Sequence, residues 1–172
     1  MSIRFHEDDV RTMGRTAMGV RSIDLAPGDE VVSMSAVQED CEVLTISENG
    51  YGKRTPEAEY RVQTRGGKGI KAGVFNEKTG HLVNLKIVSE DEDIMIISNN
   101  GTIIRMHVSD ISMIGRNTQG VRVRRLKDSE VATVAVAPRE EEEEPSGEEE
   151  TPAGEETAED PVPSEEAAPD EE

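Results

Sequence analysis

The chain has 172 residues, a formal net charge of −18 and a nearly aromatic-free composition, with no Trp, two Phe and two Tyr. It contains no apolar run long enough to cross a bilayer and no apolar N-terminal stretch of the signal-peptide kind. A single cysteine, Cys41, leaves no internal disulfide and predicts a reducing compartment.

Short apolar or alternating runs predict strands over 20–25, 31–37, 42–47 and 51–54, then over 82–88, 94–98, 102–106, 121–126 and 131–136. Pro27-Gly28-Asp29 punctuates the first group. Asn49-Gly50 and Asn100-Gly101 predict hairpin turns in which both central residues take positive φ. After residue 138 the composition changes. Residues 1–138 hold 18 Lys and Arg against 20 Asp and Glu, whereas 139–172 hold one Arg against 17 acids. That last segment is dense in Glu, Pro, Ala and Ser without apolar periodicity, and predicts a disordered acidic tail.

One phrase, Arg-x-x-x-Gly-(Val/Ile)-(Arg/Lys), occurs at 15–21, 65–71 and 116–122, spaced 50 and then 51 residues apart. Aligned on Gly19, Gly69 and Gly120, further columns agree. Arg4, Arg54 and Arg105 form one, Asp9, Glu59 and Asp110 a second, and Val10, Tyr60 and Ile111 a third. A period of this size marks a repeat architecture in which each copy supplies the same supersecondary unit. Short strands at this density read as blades. The prediction is an all-β, partial β-propeller or β-pinwheel of about three four-stranded antiparallel blades. The units lie near 1–53, 54–104 and 105–138, the first and last incomplete, and 139–172 follow as the tail. The string IRFHEDDV from Ile3 corresponds to the repeat string IIRMHVSD at Ile103, so the chain is expected to start inside a unit of something longer.

In this reading the glycine phrase joins the last strand of one blade to the first of the next. The richest copy, Gln63 to Lys71, carries three glycines and three cations in nine residues. Such loops present backbone N–H groups and positive charge together, which suits phosphate oxygens. A purely structural reading pairs Asp9, Glu59 and Asp110 with Arg15, Arg65 and Arg116 to brace the loops. Cations beyond that need, among them Arg11, Arg61, Arg124, Arg125 and Lys127, favour a phosphate-binding rim. Because the loops lack aromatic side chains apart from Tyr60, duplex is expected over single strand.

These phrases, the period and the acidic tail resemble the C-terminal DNA-wrapping domain found in the A subunit of bacterial DNA gyrase, a six-bladed β-pinwheel. Gln63-Thr64-Arg65-Gly66-Gly67-Lys68-Gly69 is similar to that family's signature box and departs from it at Thr64. Residues 15–21 and 116–122 resemble its degenerate copies. The family's full box lies in the first blade, whereas here it sits in the penultimate unit, so the chain resembles the last three blades. The resemblance implies Arg15, Arg21, Arg65, Lys68, Lys71, Arg116 and Arg122 as DNA contacts, with Gly19, Gly66, Gly67, Gly69 and Gly120 shaping the loops.

It further implies a non-catalytic module of an ATP-dependent type II topoisomerase in the bacterial cytoplasm, supporting negative supercoiling. Neither cofactor nor metal is expected in this chain, since ATP and Mg²⁺ belong to other domains or to the gyrase B subunit of an A2B2 heterotetramer. That assembly forms through the N-terminal region. Tyr51 and Tyr60 read as structural, and His6, His81 and His107 lack metal spacing. The tail is expected either to compete with DNA for the basic rim or to keep the protein soluble. Two alternatives are the equivalent domain in the A subunit of topoisomerase IV, guiding DNA without strong wrapping, and a protein-binding propeller.

Overall fold

The computed structural model describes residues 1–126 and 129–140. Lys127 and all but the first two residues of the acidic tail lie outside them. Among the described residues, seven strands and three short 3-10 turns follow one another. The strands are β1 (Glu42–Ser47), β2 (Tyr51–Pro56), β3 (Leu82–Val88), β4 (Glu92–Ser98), β5 (Ile103–His107), β6 (Val121–Arg122) and β7 (Val131–Pro138). The turns, Glu7–Asp9, Glu57–Glu59 and Val108–Asp110, keep the sequence period.

Two antiparallel sheets result, in the orders β3-β1-β2-β6 and β5-β4-β7. Their registers repeat down to the irregularities. The pairing of β1 with β3 slips between Ile46 and Ser47, and that of β4 with β7 slips between Ile97 and Ser98. A bulge at the same place in both sheets bends the outer strand alike in each. The first unit shows only isolated bridges, Ser2 to Ile70 and Arg4 to Val62, and these match Gly52 to Val121 in β2–β6 and the Arg54 to Met113 bridge.

The main core is built without aromatic side chains. Leu44 and Ile46 of β1 pack with Val88, Ile94, Ile96, Val108, Ile111, Val131 and Val134 in one cluster shared by the two sheets. Val43, one step along β1, points into a second cluster with Tyr60 and Ala72. Strand β1 is therefore covered on both faces, and its residues from Val43 to Ser47 are all buried, Thr45 and Ser47 included.

Several expectations are corrected. Residues 20–25 and 31–37 do not form strands. Residues 31–37 pair with no strand among the described residues. Val31, Val32, Met34 and Val37 accordingly stay exposed. The predicted strand 121–126 is only two residues long. The hairpin turns also differ in type: Gly50 (φ 73) and Gly101 (φ 84) are left-handed, but Asn49 and Asn100 are not. Gly50 and Gly101 donate backbone bonds to Ser47 and Ser98, each at 3.0 Å. This is the three-residue hairpin closed by a left-handed glycine, in which only the glycine needs positive φ. Finally, the glycine phrase does not lead from one blade into the next. It leaves β2, runs back to the preceding sheet, and returns to add the last strand of its own.

Candidate nucleic-acid interface

The second and third glycine phrases are built by contact with the unit before them. Gly69 and Gly120 take φ of +72 and +83, and a Cβ on Gly120 would stand 2.8 Å from the Gly52 carbonyl oxygen. A Cβ on Gly69 would overlap the matching carbonyl of Ser2. Both conformation and space therefore demand glycine where the loop locks onto the preceding strand. Gly19 and Gly66 share the left-handed backbone, but Gly67 does not, and a Cβ there would meet nothing nearer than 3.6 Å.

The first arginine of the second and third phrases is a clasp. Arg65 donates through Nη1 to the carbonyl of Arg21 and through Nε to that of Asp9, the latter at 3.1 Å. Arg116 repeats the gesture, its Nη1 donating to the carbonyl of Lys71. Because Arg21 and Lys71 occupy the last position of the phrase, each loop holds the end of the loop before it. Further backbone bonds support this, from Gly66 to Ser22 at 2.7 Å and from Val74 to Thr118 at 3.0 Å. The recurring acid does not pair with its own arginine, as bracing would require, in any of the three units. Instead Glu59 accepts from the backbone N–H of Arg116, one unit on, at 2.7 Å.

The remaining candidates face outward. Arg15, Lys68 and Lys71 are exposed and form no ion pair among the described residues. Arg21 meets Asp24 at 3.3 Å with both side chains largely in solvent, a contact of little energetic weight. Arg122, also exposed, donates to the Tyr51 hydroxyl at 2.8 Å. Arg11, Arg61, Arg124 and Arg125 are exposed as well. Arg65 and Arg116 thus differ in kind from the cations around them.

A second layer holds the loops from within. Lys53 is 2% exposed, and its ammonium donates to the carbonyls of Gly115 (3.2 Å), Arg116 and Thr118 (3.1 Å), as well as to the Thr118 hydroxyl. Burial lowers its pKa to about 8, with the Glu59 charge opposing that shift and Arg116 adding to it. Next to it, Arg54 donates to the Ile111 carbonyl at 2.6 Å and pairs with Glu42 at 2.8 Å. Arg105 pairs likewise with Asp93 at 2.8 Å, and Arg4 with Glu57. The arginine column of the repeat is therefore structural. Sequence reading placed Arg54 in it but overlooked Lys53. The signal available was that Ile3 and Ile104 fill the matching positions, which marks the column as inward-facing. Tyr60 is packed in the second cluster, and burial raises its hydroxyl pKa, the wrong direction for a nucleophile.

The model of one family, described as the DNA gyrase C-terminal domain, a β-propeller, matches residues 1–38, 42–89 and 92–138. The chain belongs to this family. The DNA gyrase A subunit of Staphylococcus aureus strain MRSA252 is 49% identical over 145 residues, which is 83% of this chain and 16% of that protein. The chain thus spans about one sixth of the length of such curated relatives. A solved DNA gyrase A C-terminal domain is 30% identical with a TM-score of 0.73, covering 77% of this chain and 46% of its own. The C-terminal domain of DNA topoisomerase IV superposes with a TM-score of 0.72 at 22% identity, covering 78% and 42%, and shares the fold. The matched segment 42–89 contains β1, β2 and β3, and 92–138 contains β4 to β7, of which β6 reaches back to pair with β2. In gyrase-domain terms the near-complete box at 63–69 lies in the middle unit, where it closes onto Ser2 of the first.

Proposed function

We propose that the chain is a non-catalytic duplex-binding and duplex-wrapping module from the A subunit of a type IIA topoisomerase, in which bent DNA follows the glycine loops. The observation that carries this reading is the clasp. It fixes successive loops to one another through Arg65 and Arg116 while the side chains of Arg21, Lys71 and Arg122 stay outside. Regularly repeated cations on a rigid support suit a phosphate backbone read by charge and shape, not by sequence. In this reading Arg15, Arg21, Lys68, Lys71 and Arg122 contact phosphate, and Arg65 and Arg116 hold the loops.

Within a whole gyrase the module would deliver wrapped duplex for ATP-dependent negative supercoiling in the bacterial cytoplasm, with the B subunit, ATP and Mg²⁺ engaged by other regions. The acidic tail would compete with DNA for the same cations. A linking-number assay tests wrapping. Nicked plasmid sealed by ligase with saturating chain bound should show a shifted topoisomer distribution. Tight binding without any shift would leave only the guiding role of the topoisomerase IV alternative.

A further inference from the structure

We infer that Lys78, Arg122 and Arg125 form a seat for a single phosphate group at the junction of two repeat units. This deepens the duplex-binding reading and rests on it. A cavity of about 230 Å³ is lined by these three cations with Asn49, Leu126 and Ser129. At roughly 30 Å³ per water, it holds a phosphate together with its bridging waters.

Three elements bring the cations together. Tyr51, 6% exposed at the start of β2, is the anchor. The Lys78 ammonium stands 5.5 Å and the Arg122 guanidinium carbon 5.1 Å from its ring centroid. Arg122 uses one Nη on the Tyr51 hydroxyl at 2.8 Å, and its remaining N–H groups are not claimed by any described residue. The segment bearing Lys78 is tied to the hairpin turn by the Asn49 carboxamide, which donates to the carbonyls of Glu77 and Lys78 at 3.3 and 3.1 Å. Residues beyond β6 are tied to the same turn, since Val123 and Arg124 both donate to the Gly50 carbonyl, at 2.9 and 3.2 Å.

Lys78 and Arg122 share one ring and repel, Arg125 lines the same cavity, and among the described residues none of the three pairs with a carboxylate. An anion at the centre removes that repulsion and accepts the unclaimed N–H donors. Phosphate is the class that fits three converging cations. Its source is the duplex backbone, because the cavity lies immediately after the glycine phrase that ends at Arg122. Lys78 belongs to the middle unit, and Arg122 and Arg125 to the following one. A bound phosphate therefore bridges the two.

The test compares the full chain with K78Q/R125Q, two exposed positions outside the Tyr51 hydrogen bond. Duplex affinity is followed across a salt series, and melting temperature is followed with and without pyrophosphate. Loss of one phosphate contact should lower the slope of log affinity against log salt by about 0.9, equally for unrelated duplex sequences. An unchanged slope in a variant that melts like the parent, with pyrophosphate stabilising neither, overturns the seat. Pyrophosphate that stabilises only the parent, with duplex slopes equal in both, assigns the seat to a free phosphate and overturns the duplex source. A parent chain without duplex affinity at low salt overturns the broader reading instead, and is recognised by the absence of any slope to compare.

Discussion

At the scale of residues, the cations of this repeat do opposite work. Arg116 donates to a neighbouring carbonyl and is half-buried, whereas Lys71, whose carbonyl it holds, projects into solvent. R116Q should therefore lower the melting temperature by several degrees, while K71Q should leave melting unchanged and weaken duplex binding. Thermal denaturation beside a binding titration separates the two. Asp93 offers a pH test. Its carboxyl accepts from His107 at 2.6 Å and from Arg105 at 2.8 Å, and these bonds hold its pKa at about 2 against the raising effect of burial. A carboxyl lowered on folding contributes stability above its unfolded pKa near 4 and loses it as pH falls toward about 2. D93N should thus melt earlier than the parent at pH 7, with the gap closing near pH 2.

The arginine and glycine columns were legible in sequence because each copy must meet the same geometric demand. Which arginine clasps and which projects was not. That depends on a carbonyl some 45 residues away, supplied by the preceding loop.

Among elements, the loop and hairpin set the register. G69A and G120A each impose a left-handed backbone on a side chain and a clash with a carbonyl, and should destabilise by more than about 1 kcal/mol. G67A should be close to neutral, since its backbone is ordinary and its surroundings open. Denaturant unfolding distinguishes these outcomes. Lys53 ties β2 to the loop of the next unit. Because its pKa is lowered from 10.5 to about 8, the folded state disfavours the charged form, and stability should rise as pH climbs through that window. K53M should flatten the rise, measured as melting temperature at successive pH values.

Strand positions from 42 to 107 and 131 to 138 follow from β-branched runs and turn residues alone. The strands expected at 20–25 and 31–37 did not form, because a strand is a pairing as much as a composition, and neither segment finds a strand to pair with among the described residues. The turn type escaped for a subtler reason. Asn-Gly is compatible with both two- and three-residue hairpins, and the Ser47 and Ser98 carbonyls select the longer one.

For the whole molecule, charge is segregated between a body that is nearly neutral and a tail that is strongly acidic. The body's cations are clustered at the loops, so a small net charge conceals a local positive surface. If the tail competes for that surface, removing 139–172 should tighten duplex binding at low salt, with the difference fading as salt screens both interactions. The account stands most directly on the exposed cations of the middle loop. The decisive measurement is the salt dependence of duplex affinity for the parent chain and for K68Q/K71Q, made at equal melting temperature. The account predicts weaker binding and a salt slope smaller by about 2, at roughly one unit per phosphate contact. An unaltered slope in the folded variant would contradict it.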